Sequence, residues 1–192
     1  MIFTETELKG VFLVDLDRKE DERGFFARVW CRDEFERHGL SVQLAQCNIS
    51  FNCHAGTLRG LHYQVPPHAE TKLVRCTQGA IFDVVVDIRR GSPTFRQWVG
   101  VELTAGNRRS LYIPEGFAHG FVTLEAETEV FYQMSTSYHA ASGRGLRYDD
   151  PLLNIEWPVT IRRVNERDQN YPLLQEEESS EFSFSPSTAP VV

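Results

Sequence analysis

Between residues 81 and 88 the chain reads Ile-Phe-Asp-Val-Val-Val-Asp-Ile. Phe82, Val84, Val86 and Ile88 alternate there with Ile81, Asp83, Val85 and Asp87. Successive side chains of an extended strand point to opposite faces, so a period of two with a polar component on one face predicts a β-strand. The pattern returns at 95–103 (FRQWVGVEL), 108–114 (RRSLYIP) and 128–135 (TEVFYQMS). Turn signals divide these runs at Gly79, Gly91-Ser92-Pro93, Ala105-Gly106-Asn107 and Pro114-Glu115-Gly116. One stretch, 31–39 (CRDEFERHG), reads as a helix, with Gly39 placed to end it. Many short strands at close spacing predict an all-β sandwich or barrel, an architecture that includes jelly rolls.

At 192 residues the chain has the length of one domain with a real core. No repeat or inter-domain linker interrupts it, and the domain is expected to span 1–175. Residues 176–192 turn acidic and then rich in Ser and Pro, the composition of a disordered tail. The alternative for that tail is a strand docking on a partner subunit through Phe182 and Phe184. A formal net charge of −7 argues against a general nucleic-acid binder. No apolar run reaches the length of a membrane span, and the N-terminal residues lack the basic start and apolar centre of a signal peptide, so a cytoplasmic protein is expected. Cys31, Cys47, Cys53 and Cys76 form no CxxC pair, which leaves neither a disulfide framework nor zinc-ligand spacing.

Against this acidic background, residues 58–76 concentrate Arg59, His62, Tyr63, Gln64, His68, Lys72 and Arg75 in a segment that otherwise reads as strand. Cations so close together repel one another unless an anion lies between them. Arginine suits bidentate contact with phosphate, so a small phosphate-bearing ligand fits. His62 offers two chemistries. As a metal ligand it would belong to a cupin HxH pair, but the second position is Gln64; His119, in Pro114-Glu115-Gly116-Phe117-Ala118-His119, is the only other imidazole of that pattern, and Glu70 sits beside the competing cation Lys72. As a titrating group it suits general acid–base work near neutral pH.

Six segments in order then resemble one family. They are DERGFFARVW (21–30), AGTLRGLHYQVPPHAETKLVRC (55–76), GAIFDVVVDIRRGSPTFRQWVGVEL (79–103), LYIPEGFAHGFVTL (111–124), EVFYQMS (129–135) and GRGLRYDDPLLNIEWP (143–158). Together, across roughly residues 3–174, they resemble the dTDP-4-dehydrorhamnose 3,5-epimerases. The resemblance implies a cupin-type jelly roll (double-stranded β-helix) with short peripheral helices, a homodimer, no cofactor and no metal. It also implies a nucleotide-diphospho-4-keto-6-deoxy sugar as substrate, in a deoxysugar route such as that to rhamnose. Carbons 3 and 5 of such a sugar flank the ketone, so inversion needs a base and an acid on opposite faces of the ring and a cation near the ketone oxygen.

By resemblance His62 is the base, Asp168 its orienting carboxylate, Tyr132 the acid and Lys72 the cation that stabilises the enolate. His119 and Arg59 would line the site, Tyr138 would shelve the base, and Gln46 and Asn48 would contact the nucleotide. Arg23 would reach the neighbouring subunit's site. Taken alone, Tyr132 reads as a strand tyrosine, Asp168 as a solvated loop charge, and Arg59 and Lys72 as outward strand cations. The pattern departs at Arg28, Cys47, Gly143 and, more mildly, Arg167. These are expected to touch ligand binding more than proton chemistry, which leaves a cytidine or guanosine diphospho-sugar open beside thymidine. A 3-only epimerase and a non-catalytic sugar-nucleotide-binding cupin are the other readings.

Overall fold

A computed structural model describes residues 1–175; the acidic Ser- and Pro-rich stretch lies outside the described residues. The strands run, in chain order, as β1 (Ile2–Glu5), β2 (Phe12–Asp15), β3 (Lys19–Asp21), β4 (Gly24–Phe26), β5 (Gln46–Asn52), β6 (Leu58–Gln64), β7 (Lys72–Gln78), β8 (Ala80–Asp87), β9 (Trp98–Thr104), β10 (Ser110–Ile113), β11 (Phe117–Thr123), β12 (Thr128–Met134) and β13 (Gly143–Gly145). Two short helices join them, α1 (Arg32–Arg37) and α2 (Glu166–Gln169). Six strands form one sheet in the order β1-β2-β10-β7-β12-β5, and five form a second in the order β13-β6-β11-β8-β9. The pairings within both are antiparallel, and β3 and β4 form a hairpin of their own. This is the jelly roll that the family resemblance implies, one of the sandwich and barrel architectures that the short alternating runs allow.

The main core lies between the two sheets. Val74, Cys76, Ile81, Val85, Leu111, Phe117 and Val130 pack there. The opposite face of the five-stranded sheet is also covered: Leu61, Val84 and Val86 pack against Leu146, Leu153 and Trp157 of the C-terminal segment. β8 is therefore buried on both faces, and its two aspartates do not meet water. Asp87 accepts hydrogen bonds from Arg89, Ser92 and Thr94, which ties down the turn into β9. Asp83 belongs to the site described below.

The six-stranded sheet is covered on its outer side by α1, whose Phe35 packs with Val14, Leu73 and Tyr112. Burying such a phenylalanine contributes about 1.5–3 kcal/mol. The helix ends at Arg37, and Gly39 adopts φ +68° beyond it. The Gly39 N–H donates to the Glu36 carbonyl and the Leu40 N–H to that of Phe35, a Schellman end that favours glycine. Among the described residues, no helix is long and apolar enough to cross a membrane.

Candidate active site

A cavity of about 610 Å³ opens between the two sheets, a size suited to a small ligand. Alternation aims the side chains into it. On β12, Val130, Tyr132 and Met134 share the inner face; on β5, Gln46, Asn48 and Ser50 oppose them in register. β6 supplies Arg59 and His62, β7 supplies Lys72, and β11 supplies His119. Tyr138 and Arg167 complete the rim, 3.4 Å apart between Arg167 Nη1 and the Tyr138 hydroxyl. The five-stranded sheet thus carries His62 and the six-stranded sheet carries Tyr132, on opposite walls.

His62 is held from behind. Its Nε2 lies 2.7 Å from Asp168 Oδ1, and Asp168 is fully buried. The other carboxylate oxygen accepts the Gly60 N–H at 3.0 Å. Asp168 is itself fixed on α2, where Asn165 caps the helix by accepting the Asp168 N–H at 2.7 Å. Burial works to raise the Asp168 carboxyl, but the His62 hydrogen bond and charge, the Gly60 N–H and the Arg167 charge outweigh it and hold the group below the usual carboxylate range. A carboxylate can only accept, so Nε2 carries a proton toward it, and in the neutral imidazole the lone pair is therefore on Nδ1. Gly60 makes the arrangement possible: it adopts φ +122°, and a Cβ there would meet Gly120 Cα at 2.5 Å. Bare backbone at both positions lets β6 and β11 approach.

Lys72 lies beside this pair. Its Nζ is 2.7 Å from Glu70 Oε1 and donates to the His62 carbonyl at 3.3 Å. His119, the Cα partner of His62 across the ladder, is 2.9 Å from the buried Asp83. Arg59 is anchored by donating from Nε to Asn52 Oδ1 at 2.7 Å. Burial raises the Tyr132 phenol above its usual value; the Glu70 carboxylate adds to this and Arg59 opposes it. Among the described residues, no three His, Cys, Asp or Glu side chains converge as metal ligands.

The structure therefore gathers Gln46, Asn48, Arg59, His62, Lys72, His119, Tyr132, Tyr138 and Arg167 around one cavity, with Asp168 behind His62. Arg23 and Arg28 do not line this chain's own cavity. Arg23 sits at the β3–β4 turn, paired with Asp21, and Arg28 pairs with Glu34 of α1. Cys47 is exposed, alternating away from the cavity between Gln46 and Asn48, whereas Gly143 lines it. Sequence reasoning missed Asp83, Arg144, Asn165 and Tyr171, whose ring stands edge-to-face to His62 at 6.2 Å. Asp83 had a signal, a carboxylate inside an apolar period. Asn165 had one too, an N-cap residue three positions before Asp168. Arg144 and Tyr171 had none.

Fold and cavity together define a cupin-type jelly roll whose cavity sets a His–Asp pair on one wall and a tyrosine on the other. The family described as dTDP-4-dehydrorhamnose 3,5-epimerase matches residues 5–176. The dTDP-4-dehydrorhamnose 3,5-epimerase of Sinorhizobium fredii is 44% identical over 177 residues, covering 92% of this chain and 91% of that one. A dTDP-4-dehydrorhamnose 3-epimerase of Streptomyces niveus is 38% identical over 170 residues, 88% of this chain and 82% of that one. The crystal structure of dTDP-4-dehydrorhamnose 3,5-epimerase from Bacillus anthracis, with TDP and PPi bound, matches at a TM-score of 0.86 and 42% identity, covering 90% of this chain and 99% of that one. The chain belongs to the dTDP-4-dehydrorhamnose 3,5-epimerase family, as the six motifs indicate.

Proposed function

We propose that this protein epimerises a dTDP-linked 4-keto-6-deoxy sugar at carbons 3 and 5, by proton removal and return through an enolate. The observation that carries the reading is the His62–Asp168 pair on one wall of the cavity with Tyr132 on the other. A sugar ring between the sheets meets a base on one face and a phenol on the other, the requirement for inversion. His62 Nδ1 takes the proton from the carbon beside the ketone. Asp168 then stabilises the imidazolium and holds its orientation. Lys72 keeps an N–H for the ketone oxygen, where enolate charge develops. Tyr132, still a phenol at neutral pH, returns a proton to the opposite face. Arg59, Gln46 and Asn48 bind the nucleotide diphosphate, His119 and Tyr138 the sugar, with Arg167 on the rim.

Thymidine is favoured over other bases by the relatives, which act on dTDP sugars by name. The exposure of Cys47 removes one of the sequence departures that argued otherwise. The protein works as a homodimer in this reading. Among the described residues the β3–β4 hairpin pairs only with itself; it carries Phe26 at 73% exposure and would deliver Arg23 to the neighbouring cavity, with Arg28 following at its base. A solution mass of one chain would remove that part.

The test of the activity is proton NMR in deuterated water with dTDP-4-keto-6-deoxyglucose. Signal loss at carbons 3 and 5 is expected. Loss at carbon 3 alone would make the protein a 3-epimerase, and no exchange would overturn the reading.

A further inference from the structure

The cavity wall is cationic. Arg59 and His62 come from β6, Lys72 from β7 and His119 from β11, while Arg144 and Arg167 stand on the rim. Among the described residues that line it, Glu70 is the single carboxylate. A negative side chain in a site for a diphosphate opposes ligand binding, so its presence calls for another account. Its side chain is only 6% exposed, and its Oε1 is ion-paired with Lys72, itself 9% exposed. Its second oxygen, Oε2, is buried with no hydrogen-bond partner. Such an oxygen is expensive to keep, and native structures keep few of them.

We propose that Glu70 is a positioning residue that aims the Lys72 ammonium at the substrate's ketone oxygen. The geometry of Lys72 supports this. One of its three N–H groups faces Glu70 and a second faces the His62 carbonyl, so the third is fixed in direction rather than free to swing on a four-carbon stem.

This inference rests on the epimerase reading, and its test separates the two. Glu70→Gln keeps the shape and removes the charge; Glu70→Asp keeps the charge and withdraws it from Lys72. Thermal unfolding and dTDP affinity check that each variant is folded, and turnover is followed by NMR exchange. In Glu70→Gln, kcat is expected to fall about tenfold, with KM changed less than kcat. In Glu70→Asp kcat should fall as well, and on a Lys72→Ala background the effect of Glu70→Gln should vanish. An unchanged kcat in Glu70→Gln overturns the proposal, as does a KM that rises as much as kcat falls or an effect that persists without Lys72. A parent that catalyses no exchange overturns the epimerase reading, whereas an active parent matched by Glu70→Gln overturns this inference alone.

Discussion

Two imidazoles stand side by side here as Cα partners on β6 and β11, and they are wired differently. His62 leans on Asp168, which arrives from a short helix 106 residues later in the chain, and its side chain stays 39% exposed on the cavity. His119 leans on Asp83 of the adjoining strand β8, and its side chain is 11% exposed. Each has a fully buried carboxylate behind it. A carboxylate partner is therefore not what sets the proposed base apart. What does is a ring edge left open to the cavity, together with a partner immobilised by contacts of its own: Asp168 is held by Gly60 and its helix cap. His119 is sunk in the sheet, which fits its proposed role as a fixed hydrogen-bonding contact to the sugar rather than a proton carrier.

Replacement of His62 gives the hardest test of this asymmetry. His62→Ala is expected to lower deuterium incorporation at carbons 3 and 5 by about 10³-fold, the scale of a lost general base. Residual exchange within tenfold of the parent would break the comparison. His119→Asn should cost far less, about tenfold in kcat/KM, with exchange at both carbons still measurable. A loss equal to that of His62→Ala would show that the two rings share the proton work.

The smallest effect concerns folding. Asp168 is held below the usual carboxylate range in the native state. Its contribution to stability is therefore fully present above the unfolded value of about 3.9 and lost as pH falls through the lower native value. Asp168→Asn carries no such proton linkage. Urea unfolding between pH 5 and 2 should show a greater loss of stability in the parent than in the variant. Parallel pH dependences would mean that the His62–Asp168 pair does not hold the carboxylate ionised.

Strands with an apolar period of two were legible before any coordinates. β8, β10 and β12 lie where the alternation puts them, and α1 stops where Gly39 allows a left-handed turn. The run at 95–103 starts early by comparison: β9 begins at Trp98, because the N–H groups of Arg96 and Phe95 bond back to Asp87 and Ser92 in a turn. α2 was illegible. Four residues carry no helical period, and Asn-Glu-Arg-Asp-Gln-Asn is polar throughout. Asp168 is buried there only because the segment folds back onto Gly60 and His62, more than 100 residues away, which no local window contains. Its importance came from the family resemblance rather than from its neighbours in sequence. Glu70 shows the reverse. Its pairing with Lys72 two positions on was readable as competition for a metal, whereas the structure makes the two one unit of the cavity wall.

The long span between His62 and Asp168 also has a temporal meaning. The strands that line the cavity, β5, β6, β7, β11, β12 and β13, all precede Asp168 in the chain, so Asp168 is made after them. In that interval His62 lacks the carboxylate that orients it. The segment that brings Asp168 is then fastened by the Leu174 N–H donating to Asp150 Oδ2 at 2.6 Å. A chain cut short before α2 is therefore expected to lack the His62–Asp168 contact whatever else of it folds.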